Sequence, residues 1–249
     1  MTVHGRRGRG GIAALVFAVL AAAAWGGARA AGEEPTTSQL FLQSHQAGVR
    51  LGPWFNLGDM PPARGETSGG EEVFKTNFHD ASFLFEGFYA HRLTPALMGE
   101  LSLAILNRGS VTFTAGNQTN VGNVLVYAGL LQAKVYPLAG GGASVQPYLT
   151  AGGGLYVGRR SVQFTSVPEG YYYPNIDEET AAKISYAVGG GIDWPIASQI
   201  GLEINAKYCP IPFGKPLMTI EDYDGLAVSI GIKYLYRPAK DETDSRRRP

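Results

Sequence analysis

Apolar and polar residues alternate with period two along most of the chain from Gln46 onward, the pattern of a strand whose two faces meet unlike surroundings. In 226–236, Leu226, Val228, Ile230, Ile232, Tyr234 and Tyr236 share one face, and Ala227, Ser229, Gly231 and Lys233 the other. Segment 200–208 repeats this, with Ile200, Leu202, Ile204, Ala206 and Tyr208 set against Gly201, Glu203, Asn205 and Lys207. Segment 183–194 sets Ile184, Tyr186, Val188, Ile192 and Trp194 against Lys183, Ser185, Ala187 and Asp193. Further strands are predicted over 46–57, 82–92, 96–107, 123–136 and 145–157, eight in all. Each is about ten residues or slightly longer, which suits a tilted strand crossing a bilayer. An even number puts both chain ends on one side.

Short and long connections take turns. Residues 93–96, 137–144 and 195–199 are short and rich in Pro or Gly, whereas 58–81, 108–122, 158–182 and 209–225 are long and polar. Membrane barrels have this asymmetry, with tight turns on the periplasmic side and long loops outside. Tyr89, Tyr136, Tyr148, Trp194 and Tyr236 fall beside the short turns. Trp54, Phe83, Tyr127, Tyr156, Tyr186 and Tyr208 fall nearer the long loops. Two aromatic belts around an aliphatic band (Val49, Leu51, Leu101, Leu103, Leu202, Ile204) match the interfaces and core of a bilayer. The expectation is an all-β protein, an eight-stranded antiparallel up-and-down transmembrane β-barrel. Alternation alone also fits a soluble calycin-like barrel with the apolar set inside; the belts and loop asymmetry favour the membrane.

The first thirty residues read differently. Arg6, Arg7 and Arg9 precede an apolar run from Gly11 to Trp25, and Ala28-Arg29-Ala30 follows. That order is a secretory signal peptide, and the run is shorter than the ~20 residues of a spanning helix. The whole chain has 21 basic and 21 acidic residues. Four of the basic ones (Arg6, Arg7, Arg9, Arg29) lie in the leader, so a chain starting at Ala31 carries 17 against 21, a net −4. Such a balance argues against nucleic acid as a partner. Cys209 is the single cysteine, which excludes an internal disulfide. The organisation expected is a signal peptide over 1–30, a flexible segment over 31–45, the barrel over 46–236 and a disordered basic tail over 237–249.

Arg50, Glu86, Arg92, Glu100, Lys134, Lys183, Asp193, Glu203, Lys207 and Lys233 fall on the lumen-facing positions. They read as ion pairs plugging an interior that, in an eight-stranded barrel, holds side chains or one small ligand. The rival is a gated pathway, in which six basic against four acidic groups would favour anions. Gly152-Gly153-Gly154 and Gly189-Gly190-Gly191 sit mid-strand and read as tight curvature with room for neighbouring aromatics. Tyr171, Tyr172 and Tyr173, beside the acidic run Asp177-Glu178-Glu179, are candidates for recognition of an extracellular ligand. Asp222-x-Asp224-Gly225 lacks the full calcium-loop pattern and reads as a solvated turn. His45, His79 and His91 lack metal-ligand spacing, and neither a metal site nor a cofactor motif is found. Ser44 and His45 are chain neighbours, which a strand points to opposite faces; no catalytic constellation emerges and the chain does not read as an enzyme.

Ser229-x-Gly231-x-x-Tyr234-x-Tyr236 resembles the terminal signal by which barrel-assembly machinery recognises its substrates. Taken whole, 46–236 is similar to the small outer-membrane β-barrel families, of the OmpA-barrel, OmpX and OmpW kind. That resemblance implies export to a bacterial outer membrane, outer-membrane lipid as surroundings and the assembly machinery as a partner. It departs from them in the tail Arg237–Pro249, which continues past the signal and is too short for the peptidoglycan-binding domain that OmpA-like proteins carry. The function it suggests is a structural or surface-interaction role carried by the long loops. The alternatives are transport of small solutes or hydrophobic molecules, and a lipid-modifying barrel enzyme.

Overall fold

The computed structural model describes residues 44–58, 64–66, 72–115, 118–139, 144–164, 176–217 and 220–236. All regular structure among them is strand: β1 (His45–Asn56), β2 (Arg64–Glu66), β3 (Glu72–Thr94), β4 (Leu97–Ala115), β5 (Gln118–Val135), β6 (Gln146–Phe164), β7 (Ile176–Pro195), β8 (Ile200–Cys209), β9 (Pro212–Leu217), β10 (Ile220–Asp222) and β11 (Gly225–Tyr236). Eight of these make the wall. Starting at β3, each wall strand pairs antiparallel with the next through β8, β8 pairs with β11, and β1 lies between β11 and β3, closing the sheet. The strand β2 lies along the edge of β3, and β9 and β10 form a separate hairpin. Closure satisfies the backbone groups that an open edge would leave bare in lipid.

Which face is apolar decides between the two barrels the alternation allowed. Leu103, Leu131, Ile184 and Ile230 are 67%, 68%, 78% and 65% exposed, all on the outside. Their strand neighbours Ser102, Ala104, Gln132, Ser229 and Gly231 point inward and are buried. A continuous aliphatic band of this kind has no place in water, so the polarity is that of a transmembrane barrel and the calycin-like alternative is overturned.

The predicted strands stop short of the observed ones on one side. Residues 72–81, 108–115, 118–122, 158–164 and 176–182, read as long polar loops, continue β3 to β7. Backbone pairing does not need an apolar face once the strands leave the hydrocarbon, so period-two alternation fades there while the ladder goes on. β3 to β7 run for 18 to 23 residues, against 10 to 12 for β1, β8 and β11. At about 3.3 Å per residue, the excess lifts one side of the wall by roughly 20 Å or more.

The aromatic belts also need correcting. Trp54, Tyr136, Tyr148 and Tyr156 are at most 3% exposed and point into the barrel, because they share parity with the inward residues Arg50, Lys134 and Thr150. The outer aromatics are Tyr89, Trp194, Tyr234 and Tyr236 near the short turns, and Phe83, Tyr127, Tyr186 and Tyr208 higher up. The inward rings explain two glycines. A Cβ on Gly225 would run into the indole of Trp54, and one on Gly191 would meet both the Ile204 carbonyl and the Tyr148 hydroxyl. The two glycine triplets are offset, Gly153 facing Tyr186 and Gly190 facing Leu149.

Candidate functional site

The interior has two tiers. In the half nearer the short turns lies a charge cluster contributed by seven strands: Arg50 of β1, Glu86 of β3, Glu100 of β4, Lys134 of β5, Asp193 of β7, Glu203 and Lys207 of β8, and Lys233 of β11. The Arg50 guanidinium donates to both oxygens of Glu100 at 2.8 and 2.6 Å, lies 3.2 Å from Glu86 and 3.1 Å from Glu203, and caps the Phe88 ring at 3.8 Å. Lys134 Nζ is 2.8 Å from both Glu100 and Glu203. Lys207 donates to the two oxygens of Glu86, and Lys233 stands 2.5 Å from Asp193 and donates to Gln46 Oε1 at 3.1 Å. Two phenols join from the wall: Tyr148 donates to Glu203 and accepts from Asn205, and Tyr136 donates to Asp193 at 2.7 Å.

These eight groups carry four positive and four negative charges, and all are at most 2% exposed. Each ion lost several kcal/mol of hydration on burial, which Coulomb attraction repays only with near-complete hydrogen bonding. Multiple short contacts per carboxylate meet that demand. Two of the ten lumen candidates stand apart. Arg92 sits at the short-turn end over the Tyr136 ring, donating to the Pro95 carbonyl at 3.3 Å. Lys183 is exposed near the opposite end and does not enter the cluster. The basic excess that would have favoured anions is therefore absent from the buried cluster itself.

Above the charges the interior becomes apolar. Trp54, Leu84, Leu106, Val126, Tyr156 and Ile211 line a chamber whose floor is the Glu86–Lys207 pair. The free space is about 20 Å³, room for about one water molecule, so the interior is filled rather than open. The β9–β10 hairpin closes the top. Phe213, Leu217 and Tyr223 are buried, and Phe213 and Leu217 lie against Gly158 of β6, where an added Cβ would meet them at 2.9 and 2.4 Å.

Asp224 holds this hairpin in place. Its carboxylate accepts from the Tyr208 hydroxyl at 2.9 Å and the Ile211 N–H at 2.7 Å, and its carbonyl accepts from Leu57 and Gly58. The turn read as merely solvated is thus a joint between β1, β8 and the hairpin. Burial pushes the Tyr223 phenol up, with Arg108 opposing.

Arg108 has no counterpart in the sequence reading, which placed it in a loop. It is fully buried at a β-bulge in β4, between Asn107, opposite Leu125, and Gly109, opposite Val124. Gly109 takes φ 115° and donates its N–H to Asn107 Oδ1 at 3.0 Å. Arg108 thus continues the inward row of Ser102, Ala104 and Leu106 up to the bulge. The structure also brings His45 and His91 together, stacked with centroids 4.3 Å apart, while the Arg92 N–H donates to His45 Nδ1. Of the terminal motif, Ser229 and Gly231 face inward, Tyr234 faces out, and the Tyr236 hydroxyl donates to that of Tyr89. Tyr171, Tyr172, Tyr173 and the segments 1–30 and 237–249 lie outside the described residues, as does the side chain of His79.

Closed wall, outward aliphatic band and charge-filled interior define an eight-stranded transmembrane β-barrel, the fold of the small outer-membrane barrels. No protein-family model matches the chain, and no curated protein matches it in sequence. Among solved structures it is similar to the outer membrane protein OprG from Pseudomonas aeruginosa (16% identity, 79% of this chain and 97% of that one, TM-score 0.47). It is also similar to Neisserial surface protein A (14%, 78% and 96%, 0.46) and to Ail, the attachment invasion locus protein of Yersinia pestis (13%, 77% and 98%, 0.42). At these values the likeness is one of barrel shape.

Proposed function

We propose that this protein is an integral outer-membrane barrel that anchors a surface-exposed wall, with a structural or surface-interaction role and no enzymatic activity. The observation that carries this reading is the filled interior: a balanced cluster of four cations and four anions below, an apolar plug above. Among the described residues, the chamber above the charges leaves about 20 Å³ free. In this reading the chain is exported by a cleavable leader over 1–30, the short turns face the periplasm, and the extended β3–β7 wall stands outside. Ser229, Gly231, Tyr234 and Tyr236 serve the assembly machinery, and Tyr171, Tyr172 and Tyr173 belong to the surface available to an extracellular ligand.

The test has two parts. Outer-membrane fractions run boiled and unboiled should show a fast form that slows on boiling, and the purified protein in planar bilayers should give no long-lived conductance. Conductance steps that shrink with Lys207→Met or Glu203→Gln would replace this reading with solute transport. Recovery in the soluble fraction with no mobility shift would remove the membrane assignment.

A further inference from the structure

Every ion of the lower cluster meets an opposite charge. Arg108 does not. Its side chain is fully buried, and none of its three guanidinium nitrogens has a hydrogen-bond partner among the described residues. The face of Tyr223 lies over it, with the ring centroid 5.4 Å from Cζ, and that phenol donates away, to the Leu217 carbonyl at 2.7 Å. Guanidinium stays protonated under all ordinary conditions, so a permanent charge is buried without a hydrogen-bond partner among the described residues. Two features of the chain put it there rather than letting it swing out: the inward row of β4 that it continues after Ala104 and Leu106, and the hairpin lid above it.

We propose that Arg108 is the anchor of an internal ligand site for a compact monocarboxylate with an apolar body, entered from the long-loop end when the β9–β10 hairpin lifts. Planar guanidinium and carboxylate match in a bidentate pair. One cation suits one negative charge; a phosphate dianion would bring a second charge with nothing to meet it. The apolar body is set by the chamber below, since Leu106 lies two residues before Arg108 on the same inward row and lines that space with Trp54, Leu84 and Tyr156. With about 20 Å³ free, the ligand has to take volume now held by the lid. Phe213 and Tyr223 are aromatic rings packed edge to face at 5.3 Å, so they occupy the place of the ligand's apolar body. The lid is tied down by hydrogen bonds at its base, through Asp224, while its inner surface holds the barrel by apolar contact. Such a surface can lift as a unit. This site stands whether or not the surface role proposed above is correct.

The experiment uses the full chain carrying W25F and W194F, so that Trp54 is its only tryptophan, in an uncharged detergent. Trp54 emission is followed on titration with 3-phenylpropionate and, separately, with 3-phenylpropanol. The expected result is a saturable change with the acid and binding at least about tenfold weaker for the alcohol. Arg108→Gln should abolish the preference, and Arg108→Lys should leave a reduced one. In urea, the acid should raise the unfolding midpoint of the parent protein and leave that of Arg108→Met unmoved, because only a ligand bound to the folded state stabilises it. Without acid, Arg108→Met should unfold at higher urea than the parent, since it removes an unpaired buried charge. Equal affinity for acid and alcohol, an acid preference that survives Arg108→Gln, or no saturable change in the millimolar range would each overturn the proposal. Gel mobility of the unboiled samples confirms that every variant compared is a closed barrel.

Discussion

Lys207 of β8 and Glu86 of β3, three strands apart around the wall, meet across the interior with Nζ 2.6 and 2.8 Å from the two carboxylate oxygens. Glu86 also has Arg50 at 3.2 Å, so it keeps a cation when Lys207 is lost. Arg50 has no such deputy, for three carboxylates converge on it. Arg50→Gln should therefore cost about 3–5 kcal/mol in urea unfolding, the range for breaking a buried pair. Lys207→Met should cost clearly less, and adding Glu86→Gln to it should recover part of the loss. Equal costs for the two single variants would show that the cluster is not organised around Arg50.

The outward band makes a depth prediction. Leu131 of β5, 68% exposed and opposite Leu101 in the aliphatic band, faces hydrocarbon, whereas Leu57 lies just past the end of β1. Leu131→Arg should destabilise the folded barrel in lipid by about 2–4 kcal/mol, and Leu57→Arg by about 0–1 kcal/mol. Reversible unfolding in phospholipid vesicles, followed by tryptophan emission, compares them. A reversed order would displace the membrane band from where the exposed aliphatics put it.

Gly225 and Trp54 form a size-matched pair across the β1–β11 seam. Gly225→Ala would drive a methyl into the indole, at 2.1 Å before relaxation, and overpacking of this kind costs about 1–3 kcal/mol. Trp54→Leu in the same chain should return much of that stability. If Gly225→Ala is neutral, Trp54 does not hold the position seen here.

Asp224 secures the hairpin through Tyr208 and Ile211. Asp224→Ala should open cleavage sites for a protease between 210 and 224 while the unboiled gel mobility of the barrel remains fast. Protection equal to that of the parent would mean that apolar packing of Phe213 and Leu217 suffices alone.

How much of this could be read from residues depends on where they sit relative to the bilayer. Within the band, Leu103 and Ser102 face opposite media, and period two is printed in the side chains. Beyond it, Asp177 and Glu178 are strand residues in a ladder with Val162 and Ser161, yet nothing in their polarity distinguishes strand from loop. Tyr136 and Tyr148 were legible by parity from Lys134 and Thr150, but aromatic chemistry suggested the interface and outweighed the count. Arg108 continues the inward parity of Ser102, Ala104 and Leu106, but apolar alternation stops at Asn107, so the strand was ended one residue before it. His45 and His91 meet through β1–β3 pairing, a register that spacing along the chain does not contain.

The charge cluster also bears on the order in which the barrel forms. Arg50 belongs to the first wall strand and Glu203 to the seventh, 153 residues later. Such a contact, unlike a hairpin, cannot form locally and has to wait for loop closure over most of the chain. Until β1 reaches β11, Arg50 faces no carboxylate of β8, and a sheet lying open in hydrocarbon would expose both ions to it. Sealing the last seam and neutralising the interior are consequently one event, which gives the chain a closed state and an unclosed one with little of stability in between.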